Sequence, residues 1–270
     1  MLLDNQLNMP VERTIYKTPF HKESQPQWTC PACGRGVLEG IKGSFHYGEV
    51  KESIDAQEKY KDTWDPDQIV FTYSTCLRCT NPQCKEIIAS AGTGGVDFEP
   101  VYDEATGEPN AQDFYNYFLP KYFWPHLNIF NVPKNTPEPI REEINKSFEL
   151  FFASPSSSSN HIRIALENLL DHLKVKRTEL RNKKRVYISL HRRVLLLPQA
   201  YSDLKDLLIA IKWLGNTGSH TPVITMDDVM DAYDILEMVI NELFEKRASG
   251  IKKLAKRINK RKGPQRGIIS

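Results

Sequence analysis

At 270 residues, with 40% apolar and 10% aromatic side chains, the chain carries enough apolar material for one large or two small globular domains. No stretch approaches ~20 consecutive apolar residues, and MLLDNQLNMPVERT lacks a basic region followed by an apolar run, so no membrane span or signal peptide is expected and the expected location is the cytoplasm. The net charge of +2 hides an asymmetry: Lys246 to Ser270 holds ten basic residues and no acidic ones, which leaves 26 basic against 34 acidic residues, a net −8, in the rest.

After an N-terminal extension (1–27), residues 28–104 hold all five cysteines and short β-like runs such as Ile69 to Tyr73 and Glu86 to Ala89. An odd number of cysteines in two tight clusters is unlike a disulfide framework and fits thiols kept for a metal. WTCPACGRG places Cys30 and Cys33 on a turn whose Gly34 can adopt the positive φ that follows such a knuckle. The second cluster, TCLRCTNPQCKE, is ambiguous, because Cys76 and Cys79 have the usual spacing while Cys79 and Cys84 flank the turn sequence Thr80-Asn81-Pro82. Alternation along Phe71, Tyr73, Thr75 and Leu77 puts Cys76 on the opposite strand face. The expected ligands of a structural Zn²⁺ are therefore Cys30, Cys33, Cys79 and Cys84, with Cys76 as the alternative. Four thiolates would close the coordination sphere and leave no position for a reactive water.

Tyr102, Asp103, Glu104 and Glu108 read as an acidic turn. Residues 105–136 form a connecting segment whose aromatics, from Phe114 to Trp124, surround prolines; an irregular path across a core is expected.

Residues 137–247 read as helical. Pro137 and Pro139 precede the stripe Ile140, Ile144, Phe148, Phe151 and Phe152; SPSSSS then reads as a loop, with Ser159 or Asn160 as the next cap. HIRIALENLLDHLKV aligns Ile162, Ala165, Leu166, Leu169, Leu170 and Leu173. The charged stretch KRTELRNKKRVYISLHRR is expected to be a solvated excursion. SDLKDLLIAIKWL gives a further helix, and TMDD a capping box, Thr225 to Asp228, for the last long one. His161, His172 and His191 read as surface residues. The predicted fold is thus α+β, a β-rich zinc ribbon followed by an antiparallel helical bundle, with a basic tail at 248–270. In that tail Lys252, Lys253, Lys256, Arg257, Lys260, Arg261 and Lys262 are candidate phosphate contacts, or else a solvated helix end.

IKWLGNTGSH, residues 211–220, admits two readings. If the helix runs on to residue 220, Lys212, Asn216 and His220 form a polar stripe that could hold a phosphate and move a proton, as a metal-independent ribonuclease requires. If Gly215 and Gly218 end the helix, Asn216 is a cap and His220 a surface or packing residue.

These motifs, with VPKNTPEPIREEINKSFELFFASPSSSSNHIRIALENLL before them, resemble the bacterial domain of unknown function 4145 family, assigned to the HEPN (higher eukaryotes and prokaryotes nucleotide-binding) superfamily. The likeness runs from about Trp28 to Lys246 and includes a CPxCG ribbon whose second half is CxNxxC, matching Cys79 and Cys84. It implies a helical bundle, often a homodimer formed through that bundle, in restriction, toxin and antiviral defence settings, sometimes within larger complexes. Arg163, Ala165 and Glu167 match one family pattern, and Gly215, Asn216 and His220 another. Related ribonucleases carry arginine five positions before the histidine, where this chain has Gly215; Lys212 or Arg163 is the candidate substitute. The expected function is nucleic-acid or nucleotide binding, non-catalytic or weakly catalytic. The alternatives are an active ribonuclease with a composite dimer site, or an interaction subunit of a defence complex. Neither GxxxxGK[ST], GxGxxG after a strand, nor GxSxG occurs.

Overall fold

A computed structural model describes residues 13–103, 106–215, 223–245 and 247–262, with only the backbone of 247–252 considered. The architecture is α+β, an N-terminal antiparallel sheet followed by helices. A single helical turn, α1 (Thr14–Lys17), leads into β1 (Leu38–Gly40), β2 (His46–Glu49), α2 (Lys51–Lys59), β3 (Val70–Cys79), β4 (Ile87–Tyr102) and β5 (Pro109–Trp124). The sheet runs β3-β4-β5, and the other edge of β3 is shared end to end by β2, against Phe71 to Ser74, and β1, against Leu77 to Cys79.

Period-2 alternation decides the faces of β3: Tyr73, Thr75, Leu77 and Cys79 are buried while Val70, Thr72, Ser74 and Arg78 are exposed. Tyr73 joins Phe20, Phe45 and Phe118 in a cluster of edge-on and stacked rings 4.9 to 6.4 Å apart. The strand β4 can coil over this cluster because three of the five residues in its AGTGG segment are glycine. A Cβ on Gly92 would lie 2.1 Å from the Leu119 carbonyl oxygen, and one on Gly94 2.4 Å from that of Tyr117.

The aromatic segment expected to be irregular is the strand β5. Two features disguise it. Pro120 has no N–H to give, which an edge strand tolerates, and a bulge opposite Ala91/Gly92 makes Lys121 an extra residue, so the buried positions run Phe118, Pro120, Phe123 with a switch of parity.

The helices are α3 (Glu138–Leu150), α4 (Pro155–His172), α5 (Leu190–Leu195), α6 (Lys205–Leu214), α7 (Met226–Ile240) and α8 (Arg247–Arg261). The predicted stripes of α3 and α4 are buried, Ile144, Ile162, Ala165, Leu166, Leu169 and Leu170 completely. The serine run is not a loop but the first turn of α4. Ser154 is its N-cap, accepting from the Ser157 N–H, and Pro155 stands at N1, where its missing N–H costs nothing. Ser158 faces inward, 2.9 Å from both Ser147 Oγ and the Tyr233 hydroxyl, which is itself 2.7 Å from Ser147 Oγ. The charged stretch after α4 is also ordered: β6 (Thr178–Arg181) and β7 (Lys184–Tyr187) form a hairpin turning on Asn182 and Lys183, both at positive φ, and α5 follows. Within it Arg193 is buried and donates to Asp171.

Sheet and helices share one apolar core. The Phe123 ring lies 5.0 Å from Phe152, Phe130 packs between Phe148 and Tyr233, and Tyr16 of α1 meets Phe151 and Phe152. Ion pairs from Arg13 to Asp231 and Asp234, and from Lys17 to Asp227, tie α1 to α7.

Candidate functional site

The turn at Cys30-Pro-Ala-Cys33-Gly34 closes through Gly34 N–H to the Cys30 carbonyl, 2.9 Å, with Gly34 at φ +60°. A second turn repeats this geometry over Asn81-Pro-Gln-Cys84-Lys85: Lys85 N–H reaches the Asn81 carbonyl at 3.1 Å with φ +57°. Asn81 therefore stands where the first thiol of the knuckle would be, and Cys79, two residues earlier at the end of β3, supplies the fourth sulfur. This explains why the second pair is spaced Cx4C. Strand pairing of Leu38 with Cys79 brings the two turns together at one end of the sheet.

Cys30, Cys33, Cys79 and Cys84 all have Sγ atoms within 4.8 Å of one another, an arrangement that can hold a metal ion. The pairs Cys30/Cys84 and Cys33/Cys79 are 3.9 and 3.7 Å apart, with no disulfide. Backbone N–H groups point at sulfur: Gly36 to Cys33 at 3.5 Å and Asn81 to Cys79 at 3.4 Å, while Asn81 Nδ2 lies 3.7 Å from Cys33 Sγ. Donation from Gly36 and Arg35 holds the Cys33 thiol down to about 6, whereas burial pushes Cys30 up to about 12. A cation at the centre would favour the thiolate in each. Cys76 is outside the cluster, on the opposite face of β3 and paired with Ala89.

Two contributors escape a search for ligand types. Asn81 orients two sulfurs, and Gly36 makes room for them: a Cβ there would lie 2.5 Å from Cys79 Sγ and 2.9 Å from Asn81 N. The turn sequence Asn81-Pro82 before Cys84, and the glycine three residues after Cys33, are the signals of these roles in the sequence.

The polar stripe through Lys212, Asn216 and His220 needs an uninterrupted helix, and α6 ends at Leu214 with Gly215 as its C-cap. Asn216 and His220 lie outside the described residues. What the structure does bring together is Lys212 of α6 and Arg163 of α4. Partial burial first, and then the charge of Arg163, lower the Lys212 ammonium; its Nζ sits 3.1 Å from the Trp213 ring centroid, and Arg163 faces Glu167 at 3.6 Å. Helices α4 and α6 meet closely here, since Ser159 Oγ donates to the Leu214 carbonyl and a Cβ on Gly215 would come within 3.0 Å of Arg163 Cβ. A side chain at 215 would thus be tight against Arg163, which occupies the adjoining space.

From Lys253 to Lys262 every side chain of α8 and the residue after it is exposed, including Lys253, Lys256, Arg257, Lys260, Arg261 and Lys262. None of these cations forms an ion pair among the described residues. The side chain of Lys252 is not described. Of the three histidines expected on the surface, His172 is exposed, while His161 and His191 are half-buried. His161 Nδ1 is 2.7 Å from Glu143, a carboxylate that burial alone would raise and that Lys146 and His161 together hold below the ordinary value.

No helix among the described residues is long and apolar enough to cross a membrane. No curated protein and no solved structure matches the chain. The cysteine-bearing half, which the resemblance above joined to the helices, matches a family model of its own, a domain of unknown function (DUF8608), over residues 18–123. Residues 145–261, from α3 through α8, match the family model of the domain of unknown function DUF4145.

Proposed function

We propose that the chain is a nucleic-acid-binding protein, with a HEPN-like helical bundle stiffened at one end of its sheet by a structural zinc ion in a ribbon-like site, serving bacterial antiviral defence. The observation that carries the nucleic-acid reading is α8 and the residue after it: Arg247 to Lys262 holds eight basic and no acidic residues, the side chains from Lys253 on are exposed, and the described cations have no internal anion. Donor chemistry supports zinc. Four sulfurs around an ion with bonds of about 2.3 Å stand about 3.8 Å apart at the edges of a tetrahedron, close to the 3.7 and 3.9 Å found here. Such a site has no open position, so the zinc stabilises and does not react.

The test is retention and cleavage of labelled single-stranded RNA by three metal-replete proteins: the parent, His220→Ala, and a K253Q/K256Q/R257Q/K260Q variant. Retention equal in the first two and lost in the third supports the reading. The salt dependence of binding would also flatten by about 0.7 per phosphate contact removed. Equal retention by all three would sink it.

A ribonuclease is the second reading, favoured by one observation: Arg163 stands against Gly215, beside Lys212, where a guanidinium could meet a scissile phosphate despite the glycine. Cleavage by the parent that disappears in both His220→Ala and Arg163→Gln would establish it.

A further inference from the structure

Beyond Gly95, the last residue of β4 paired with β3, the strands β4 and β5 leave the sheet and continue alone as a two-stranded ribbon. From Asp97 to Asp113 the ribbon and its turn hold six carboxylates and no lysine or arginine. Its faces differ. Phe98 and Phe114 pair across one face, ring centroids 6.1 Å apart, which stiffens the ribbon. The other face carries Asp97 opposite Tyr115, Glu99 directly opposite Asp113, and Val101 opposite Ala111. Like charges facing each other across a ladder are destabilising unless a cation lies against them. No ion pair to Asp97, Glu99 or Asp113 exists among the described residues. Their field is felt locally, since partial burial, then Asp97 and Glu99, raise the Tyr115 phenol.

The complementary surface is on the same chain. Leu254 and Ile258, each 42% exposed, form an apolar seam on α8 flanked by Lys253, Lys256, Arg257 and Lys260. A helix of this charge is repelled by its own copy, so self-pairing of α8 is disfavoured. Lengths agree as well: seven residues of ribbon, Val96 to Tyr102, span about 23 Å, and the 15 residues of α8 span about 22 Å.

We propose that α8 of one copy lies along the carboxylate face of the ribbon of a second copy, and that the second copy returns the contact, closing a two-fold dimer. The seam of α8 meets Val101 and Ala111, and its cations meet Asp97, Glu99 and Asp113. A contact that each copy both gives and receives closes on itself and so ends at two chains. The surface is distinct from the bundle face; it uses the α8 cations that the proposed function assigns to phosphate, so ribbon and nucleic acid compete for them.

The experiment is sedimentation of the full chain over a range of concentrations, with two charge reversals, D97K/E99K/D113K on the ribbon and K253E/K256E/K260E on the helix. The parent is expected to be a dimer at low salt, with a dissociation constant raised about tenfold or more at high salt. Each reversal alone is expected to be monomeric. An equimolar mixture should recover the dimer, because the reversed ribbon then faces a reversed helix and the native ribbon a native one. A parent that stays monomeric at low salt, or reversals that dimerise like the parent, would overturn the proposal. A monomeric parent that still retains RNA would overturn the dimer and leave the nucleic-acid reading standing.

Discussion

The sheet and the helices of this protein are held in different ways. The helices bury an aliphatic and aromatic interior in which sixteen such side chains from Ile144 to Ile240 are fully enclosed, so each element is fixed by several others. At the cysteine end of the sheet the buried set is smaller, with Trp28, Cys30, Leu38, Leu77, Cys79, Ile88 and Phe123 in it, and two tight turns face each other across four thiols. One region is stabilised by area removed from water; at the cysteine end of the other, the proposed zinc would add a few directed bonds to a smaller buried area. The contrast teaches where each is vulnerable: the helices to the loss of volume, the sheet end to the loss of one ion.

Removing that ion is expected to have the largest effect. Chelation should expose residues 28–124 to protease while most of the helical far-ultraviolet signal remains, because α3, α4, α6 and α7 keep their mutual packing. Gly36→Ala should reproduce this without a chelator, since its methyl group would enter the space of Cys79 Sγ and the Asn81 amide. Both can be read as zinc content per chain and as the rate of tryptic cleavage between Trp28 and Trp124. A chain that loses its metal yet is cleaved no faster would mean that the aromatic cluster around Phe118 holds the sheet unaided.

The same contrast governs what could be read from the residues alone. Helix α7 is legible in full, because its buried positions recur at three and four residues and Thr225 with Asp228 mark its start. Where composition and position disagree, composition misleads. Four successive serines read as a loop, yet Ser154 and Pro155 are a start signal, and two of the serines are buried. Pro120 argues against a strand only in the interior of a sheet, and β5 is an edge. The cluster of four cysteines that could hold a metal is legible in the sequence, with Cys76 as the alternative. Its second turn is a knuckle with asparagine in the first position, a pattern defined by backbone geometry. In GNTGSH the question was whether a helix continues. The close approach of α4 to Gly215, a tertiary fact, accounts for the glycine that periodicity leaves unexplained.

A smaller effect is expected where the helices use a directed bond of their own. Asp171 accepts from Arg177 and, at 2.6 Å, from Arg193, whose side chain is 6% exposed. Hydrogen bonding from Arg177, opposed by burial and aided by Arg193, holds the Asp171 carboxyl below its ordinary value. A depressed carboxylate contributes stability above its unfolded pKa of about 3.9 and loses it as pH falls through the folded value. Asp171→Asn should therefore cost about 2 kcal/mol at neutral pH. Most of this comes from Arg193, since Arg177 is solvent-exposed and its pair is screened. Urea unfolding of parent and variant should show the difference shrinking toward pH 3. A difference that stays constant over that range would mean the aspartate acts by packing and not by charge.

The smallest effect tests whether the two regions are separable. The Thr225 hydroxyl accepts from the Asp228 N–H at 3.2 Å, and the Asp228 carboxylate accepts from the Thr225 hydroxyl and N–H at 2.7 and 2.8 Å. These bonds lower the Asp228 carboxyl and satisfy two amides at the start of α7 that would otherwise face water. Thr225→Ala removes the side-chain half of the box and should cost about 1 kcal/mol. Since α7 is tied to the sheet region chiefly through Arg13, Lys17 and the rings around Phe130, the loss should appear in unfolding of the helices with zinc retention unchanged. Zinc retention that falls in step with helix stability would show that the shared core couples the two regions more strongly than their different modes of stabilisation imply.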